Sequence, residues 1–530
     1  MQNSFQMRPA PALALILLCF GGSRLMAQAP APAAVLNPAS NIPAGLPNSG
    51  IAQGSIIVVY GANLGPSTLV QATSLPLPTT SGLGGTTVTV TVNGTTLTAP
   101  MIYTLSTQVA AILPSAIPLG TGTLTVKYNG ASGSTPITVV PSNFGMSTVN
   151  QTGTGPVVVT FLDYSLVTSS SSAKPGDVLT LWGTGLGATT GSDATLPVQT
   201  DLGTPIQIFV GGVQANILYR GRSASPGLDQ INFVVPQGVS GCAVSLGALT
   251  NGTIVSNYTS IAVAATGGAC SYPGASTSTF TSVPSQSSVR LGYLDLEWND
   301  NVGGIADNDV ITAGAAFLNF TQSQFASFSS GLSGLGGTGL SPGQCTVSYT
   351  NLNQTLNATY LNAGASVVLT SPSGSTTTLS ALPNGGYGAT LTTEPAGSYT
   401  LSGNGGADVG AFTAGFSLAQ PITWTNPASV GTINRSQPLT ITWTGGDANA
   451  YADIAVGSSG PGYDVSLDCS ATASLGQFTI PPALLLALPP GHGDLTVASG
   501  TNPQFVSVPG FYLFSVFASR PAFSILTTIQ

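Results

Sequence analysis

The chain has 530 residues, a formal net charge of −8 and 5% charged residues, against roughly 25% in ordinary soluble proteins. No cluster of basic residues is present, which excludes the usual electrostatic basis for binding nucleic acid, and 42% hydrophobic residues is enough for packed cores rather than disorder. This length predicts about three to five domains. Because hydroxyl and amide groups rather than charges supply the polarity, we expect stability to change little with pH.

Residues 1–29 are typical of a secretion signal. Arg8 is the basic element, residues 10–20 form the apolar core, and Ala27-Gln28-Ala29 is a small-x-small cleavage site. The apolar core is too short to span a membrane, and Leu18 before Cys19 does not fit a lipoprotein signal. We therefore predict an exported protein, secreted or at the cell surface, that does not insert into a membrane. Residues 30–50 are rich in Ala, Pro and Asn and are predicted to be a linker.

One glycine-punctuated segment occurs twice. Residues 54–65 and 176–187 share four residues at a constant offset of 122: Gly54, Gly61, Leu64 and Gly65 recur as Gly176, Gly183, Leu186 and Gly187. Each segment begins with a β-branched or aromatic run that predicts a strand. The glycines that follow permit a tight backbone turn. A phosphate-binding loop is the alternative, but neither copy has the Gly-Lys-Ser/Thr sequence or an ensuing helical pattern.

The surrounding segments predict an all-β protein. Residues 86–92 alternate strictly and lead into Asn93-Gly94, a hairpin signal. About seven short strands per repeat, at a spacing of 8–12 residues, indicate tandem immunoglobulin-like β-sandwiches. We predict sandwich 1 at 36–141, sandwich 2 at 142–271, a linker at 272–290, sandwich 3 at 291–420 and sandwich 4 at 421–530.

The two repeats resemble IPT/TIG-type immunoglobulin-like domains, and more narrowly a domain repeated in secreted, uncharacterised acidobacterial proteins (the Solibacter-type C-terminal domain). The similarity covers roughly residues 36–271. It rests on the paired glycine segments, Val92-Asn93-Gly94, Asp229-Gln230-Ile231-Asn232 and the sequences around Cys242 and Cys270. The resemblance implies this fold and export, but it implies no particular activity for the protein. Repeat 1 departs from it by lacking the cysteine pair and by having Ala110 where repeat 2 has Asn232.

Four cysteines remain after the signal, and an even number in an exported chain favours two disulfides with three possible pairings. Within the resemblance, Cys242 and Cys270 flank the last strands of the second repeat and are expected to pair. Cys345 and Cys469 then form the second disulfide or remain two buried thiols.

One dense acidic cluster is the candidate metal site. Glu297, Asp300, Asp307 and Asp309 offer hard oxygen ligands for calcium, although their spacing does not fit an EF-hand loop. The alternative is a solvated turn rich in Asp and Asn. With Asp295, the same carboxylates could serve glycoside hydrolysis. No cofactor other than this calcium is expected.

The remaining candidates favour structural roles. His492, the single histidine, lies in a Gly-rich turn, where an exposed loop residue is favoured over a catalytic base. Arg220, Arg222 and Asp229 are expected to form a local charge pair on a hairpin rather than a ligand clamp. Tryptophans 182, 424 and 443 lie in alternating strands, which favours core positions over a sugar-stacking surface.

The sequence thus favours a non-enzymatic binding or adhesion protein, with an extracellular carbohydrate or protein as partner. A structural spacer without a ligand is the second hypothesis, and a calcium-assisted polysaccharide-active enzyme is the third. The ligand and the oligomeric state are not encoded in any motif.

Overall fold

The structure, a computed structural model, describes residues 28–270, 287–299, 310–321, 324, 340, 342–351, 358–391, 395–448, 450–460, 462–500 and 504–530. Regular structure in these ranges is almost entirely β-strand, which confirms the predicted fold class. Residues 1–27 of the predicted signal lie outside the described residues. Where the chain is described, no helix has both the length and the apolar character needed to cross a bilayer.

Unit 1 is a sandwich of two five-stranded sheets, ordered β1-β3-β8-β7-β4 and β2-β10-β9-β5-β6. Its strands are β1 (Ala31–Leu36), β2 (Ile51–Ala52), β3 (Ile56–Ala62), β4 (Val70–Gln71), β5 (Thr86–Val92), β6 (Thr95–Thr98), β7 (Met101–Thr104), β8 (Gln108–Ile112), β9 (Gly120–Tyr128) and β10 (Ala131–Val140). The strand order matches the A-B-E-D and G-F-C sheets of an immunoglobulin-like domain. Inward residues alternate as predicted, and Val88, Val90 and Val92 are buried in the core.

Unit 2 repeats this arrangement. Its strands are β11 (Gly145–Met146), β12 (Val159–Thr160), β13 (Val178–Thr184), β14 (Ile206–Val210), β15 (Val213–Gln214), β16 (Asn216–Arg222), β17 (Asp229–Val234), β18 (Gly241–Thr250), β19 (Ile254–Val255) and β20 (Thr259–Val263). One sheet is ordered β11-β13-β17-β16 and the other is built on β14 and β18. Strands β3 and β13, which carry the duplicated segment, occupy the same place in the two units, so the repeat is structural.

The C-terminal half contains one long hydrogen-bonded sheet and one short one. Its strands are β21 (Ser288–Asn299), β22 (Val310–Thr321), β23 (Gln344–Asn351), β24 (Thr359–Tyr360), β25 (Ser366–Thr370), β26 (Thr376–Ala381), β27 (Tyr387–Leu391), β28 (Gly397–Gly403), β29 (Phe412–Leu418), β30 (Ile422–Trp424), β31 (Thr432–Ile433), β32 (Leu439–Gly445), β33 (Tyr451–Gly460), β34 (Tyr463–Thr472), β35 (Gln477–Ile480), β36 (Gly491–Gly500), β37 (Gln504–Val506) and β38 (Leu513–Ile529). Single helical turns lie at Pro427–Ser429, Ala473–Leu475 and Pro482–Leu485. The short sheet, β30-β32-β35, packs Trp424 and Trp443 into the last core, where both were predicted.

The predicted boundary at 420/421 does not separate the strands of this half. Strand β38 pairs in parallel with β21 along Leu513–Ser519 and then antiparallel with β36 along Ser519–Ile529. Strand β23, assigned from sequence to sandwich 3, pairs with β34 of the last core. The two C-terminal units therefore share one sheet, because a 17-residue strand is long enough to serve both.

The two predicted linkers also differ from the structure. Residues 31–36 form β1, which pairs with β3, and residues 288–290 already belong to β21; residues 271–286 lie outside the described residues. Residues 37–50 pack against other units: Ile42 and Leu46 join Leu249 and Val255 in the core of the last unit. This apolar burial explains why an Ala- and Pro-rich segment is ordered.

Both disulfides are present. Cys242 and Cys270 are bridged with a Cα–Cα distance of 5.4 Å, and Cys345 and Cys469 are bridged with a Cα–Cα distance of 4.0 Å. The second bridge joins residues that lie directly opposite each other on β23 and β34. The alternative of two buried thiols is therefore wrong.

Candidate functional site

The described part of the chain places few of the sequence-predicted metal ligands. Asp300, Asp307 and Asp309 lie outside the described residues. Glu297 lies in strand β21. Among the described residues, no group of three or more His, Cys, Asp or Glu side chains lies together as a metal site. His492 is exposed on β36, opposite Thr528.

The arginines of the β16–β17 hairpin form two different ion pairs. Arg220 pairs with Asp201 at 3.3 Å, and both side chains are partly exposed. Arg222 pairs with Asp229, and both side chains are almost fully buried. The predicted local pair is thus Arg222–Asp229, while Arg220 has a partner outside the hairpin.

Arg222 also joins the two units, which the sequence did not indicate. Its Nη2 donates to the carbonyl of Gly54 in unit 1 at 2.8 Å and to that of Gly187 in unit 2 at 2.6 Å. Asp229 accepts from the amides of Gly185 and Leu186 at 2.7 and 2.8 Å. We call these six residues the inter-unit clamp. Burial raises the pKa of the Asp229 carboxyl, and the guanidinium and the two amides oppose that effect.

A different part of unit 2 presents side chains to solvent. In the sheet β11-β13-β17-β16, the inward side chains are core residues such as Leu181 and Phe233, so the alternate positions face outward. Trp182 lies opposite Gln230, and Asn232 lies opposite Thr180 on one side and Tyr219 on the other. Trp182 is half-buried on this outer face, so its expected core position is wrong.

A turn after β12 adds a second aromatic ring to this face. Tyr164 is 76% exposed, and its ring stacks on that of Trp182 with centroids 6.4 Å apart and an interplanar angle of 30°. Asp163 holds the turn by accepting from the amide and hydroxyl of Ser165 at 2.9 and 2.6 Å, and these hydrogen bonds lower the pKa of the Asp163 carboxyl. Tyr164 has φ of 66°, a left-handed conformation that is unfavourable for a bulky residue and that is found preferentially at functional positions.

We call the outward side chains of Tyr164, Trp182, Tyr219, Gln230 and Asn232 the Trp182 face. Trp182 Nε1 donates to Thr160 Oγ1 at 3.1 Å, which fixes the indole by its edge. Thr180 Oγ1 donates to Asn232 Oδ1 at 3.2 Å, and the described residues offer no partner to Asn232 Nδ2.

Unit 1 provides a natural comparison. Tyr60 takes the place of Trp182 and pairs with Gln108, as Trp182 pairs with Gln230. Ala110 takes the place of Asn232, and the segment after β1, residues 37–50, contains no aromatic residue to match Tyr164. Unit 1 therefore has the same scaffold without the free amide and the second ring.

A band of carboxylates crosses the last unit. Asp453 on β33, Asp468 on β34 and Asp494 on β36 all lie on the sheet face opposite the apolar core. Burial raises the pKa of Asp453 and of Asp468 to about 6 each, and hydrogen bonds from Ser470 and Ser466 partly oppose it. Burial also raises the pKa of Asp494. The expectation of pH-independent stability is therefore revised for this unit.

Comparison with known proteins gives no family. No protein-family model matches this sequence, and no curated protein is significantly similar to it. Among solved structures, a tetra-tandem repeat from the extending region of a large adhesion protein is 12% identical, with 89% of this chain and 96% of that chain covered and a TM-score of 0.13. Invasin, a bacterial integrin-binding protein, is 12% identical over 94% of this chain and 78% of its own, with a TM-score of 0.13.

A third structure is SGBP-B from the Bacteroides ovatus mixed-linkage glucan utilization locus, in complex with a mixed-linkage heptasaccharide. It is 11% identical, with 85% of this chain and 92% of that chain covered and a TM-score of 0.13. At these TM-scores the similarities carry no argument about function.

The clamp predicts a large difference between the two arginines. We expect Arg222→Met to lower the free energy of unfolding by about 3–5 kcal/mol, because it leaves the buried Asp229 carboxylate without its cation. Arg220→Met, the matched control, should cost at most about 1 kcal/mol because its pair is exposed. Urea unfolding measures both. Equal effects of the two substitutions would contradict the clamp, and adding Asp229→Asn to Arg222→Met should recover part of the loss.

The carboxylate band predicts a pH dependence. Since the folded-state pKa values of Asp453 and Asp468 lie above the ordinary 3.8, the folded state binds more protons between about pH 4 and 6, and stability falls as pH rises through that range. Asp453→Asn should raise the free energy of unfolding at pH 7 by about 1–2 kcal/mol and flatten the profile. Thermal unfolding at pH 4.5, 6 and 7.5 measures this, with Asp464→Asn at an exposed position as the control. A profile that Asp453→Asn does not change would contradict the assignment.

Proposed function

We propose that this chain is an exported, non-catalytic binding protein that presents the Trp182 face to an extracellular carbohydrate or protein. The observation that carries the proposal is the stack of Tyr164 on Trp182, on the outer face of a sheet whose inner face is already packed. Large aromatic side chains that remain accessible and rigid are the groups that contribute most to binding energy.

The geometry of the turn favours a binding protein over a spacer. A spacer needs no exposed tyrosine in a left-handed conformation, which costs on the order of 1–3 kcal/mol and persists only where the surroundings enforce it. Here Asp163 and Ser165 enforce it and hold Tyr164 above the sheet. The turn therefore lowers the stability of the fold somewhat and in return keeps the Tyr164 ring exposed to solvent.

The rest of the molecule suits a rigid support. The inter-unit clamp joins units 1 and 2 through buried polar contacts, and Thr184 adds a bridge by accepting from the Ile56 amide at 2.9 Å and donating to the Gly227 carbonyl at 2.6 Å. Two disulfides are in keeping with an oxidising, extracellular setting. A face held this firmly loses little conformational entropy when it binds.

The test is retention of the purified full-length chain on insoluble matrices: microcrystalline cellulose, chitin, peptidoglycan and fibrous collagen. We expect the wild type to co-sediment with at least one of them, and Trp182→Ala to reduce the bound fraction at least about fivefold, since a central aromatic contact contributes on the order of 1 kcal/mol or more. Tyr60→Ala, at the equivalent position of unit 1, should bind like the wild type. If no matrix retains the chain, the spacer hypothesis replaces this one. If Trp182→Ala and Tyr60→Ala bind equally, the assignment of binding to the Trp182 face is wrong.

A further inference from the structure

The shape of the Trp182 face restricts what it can hold. Strands β13, β17 and β16 lie side by side, so the face is about 10 Å wide from Trp182 to Tyr219, two strand spacings apart. It is an outer sheet surface rather than an enclosed cavity. Such a surface suits an extended ligand that lies across the strands, and it offers little to a small molecule that needs to be surrounded.

The face is neutral at its centre. Trp182, Gln230 and Asn232 carry no charge, and the charged side chains described nearby lie at its rim and have partners: Arg220 bonds to Asp201, and the Asp163 carboxylate bonds to Ser165. Arg220 is already neutralised by Asp201, and the charge of Asp163 lies at the rim, so the centre of the face offers an ionic ligand no opposite charge. The complementary ligand is therefore uncharged.

The ring faces and amides together match a sugar. A pyranose has an apolar C–H surface that can pack on the exposed phenol of Tyr164 and on the part of the Trp182 indole that remains exposed beside it, and hydroxyls at its edge that both donate and accept. Asn232 Nδ2 and the Gln230 amide supply the matching donors and acceptors from the neighbouring strand. A protein partner would also use the aromatic rings, but it would not need free amides spaced along a neutral strip.

We propose that the Trp182 face binds a neutral β-linked polysaccharide, with successive sugars lying across β13, β17 and β16. Among β-linked polymers, the 1,4-linked chains are extended and expose flat C–H surfaces to a flat support, whereas an α-1,4-linked chain coils. This inference rests on the proposed function and names its ligand class. Unit 1 is not expected to share the site, because Ala110 replaces Asn232 and no ring corresponds to Tyr164.

The experiment is affinity electrophoresis of the full-length chain with four soluble polymers. Hydroxyethyl cellulose and arabinoxylan are neutral and β-linked, carboxymethyl cellulose has a β-linked backbone with negative charges, and dextran is neutral and α-linked. We expect retardation by the first two, weaker retardation by carboxymethyl cellulose and none by dextran. Retardation by dextran alone, or equal retardation by all four, would overturn the inference.

Variants assign the binding to the face. Trp182→Ala should weaken the apparent affinity about tenfold, which corresponds to about 1.4 kcal/mol, and Tyr164→Ala, in an exposed turn, should weaken it without affecting the fold. Asn232→Ala recreates the unit 1 residue and should weaken binding several-fold, while Tyr60→Ala should not change it. Unfolding curves identify any variant that loses the fold. If Trp182→Ala or Asn232→Ala does so, the affinity of Tyr164→Ala decides whether the face binds the polymer.

The outcomes separate the two proposals. If no polysaccharide retards the chain while collagen retains it in a manner that depends on Trp182, the ligand class is wrong and the binding function stands. If neither the soluble polymers nor the insoluble matrices bind, both proposals fail.

Discussion

The buried pair between Arg222 and Asp229 is the interaction on which the two repeats depend. Removing two charges from water is costly, and the cost is offset here because Arg222 also donates to two carbonyls and Asp229 also accepts from two amides. The carbonyls that Arg222 contacts come from Gly54 and Gly187, one in each copy of the repeated segment. A Cβ at Gly54 would collide with the guanidinium, so glycine is required there by close approach as well as by its φ of 69°. The glycines that identify the repeat in the sequence thus also form the joint between its copies.

Local patterns predicted the first two units well. Each successful prediction concerned one strand, turn or disulfide. The signals were the alternating residues of Thr86–Val92, the constant offset of 122 and the paired cysteines. The C-terminal half was predicted only as a set of strands, since pairing between Leu291 and Leu513 depends on residues that are distant in the chain. Strand β38 also continues through Pro521, where a break is the usual expectation, because a register irregularity accommodates it.

The candidate site was only partly visible in the sequence. Trp182 lies in a strand where hydrophobic residues occur at successive positions, so alternation alone could not tell which side of the sheet it faces. The companion ring at Tyr164 comes from a turn whose short Asp163-Tyr164-Ser165 sequence has a conformation that follows from tertiary context. The repeat shows that Ala110 stands where unit 2 has Asn232, but only the structure shows that this position faces outward. The acidic cluster at 297–309 is distinguished in the sequence only by its density of carboxylates, and residues 300–309 lie outside the described residues.

The pairing of β38 with both β21 and β36 has a kinetic consequence. Its partners on β21 lie more than 200 positions earlier in the chain, so this contact has a very high sequence separation and forms slowly. Until it forms, two apolar sheets have open edges that can pair with other chains. The nascent protein is therefore open to self-association through these edges until β38 has paired with both partners.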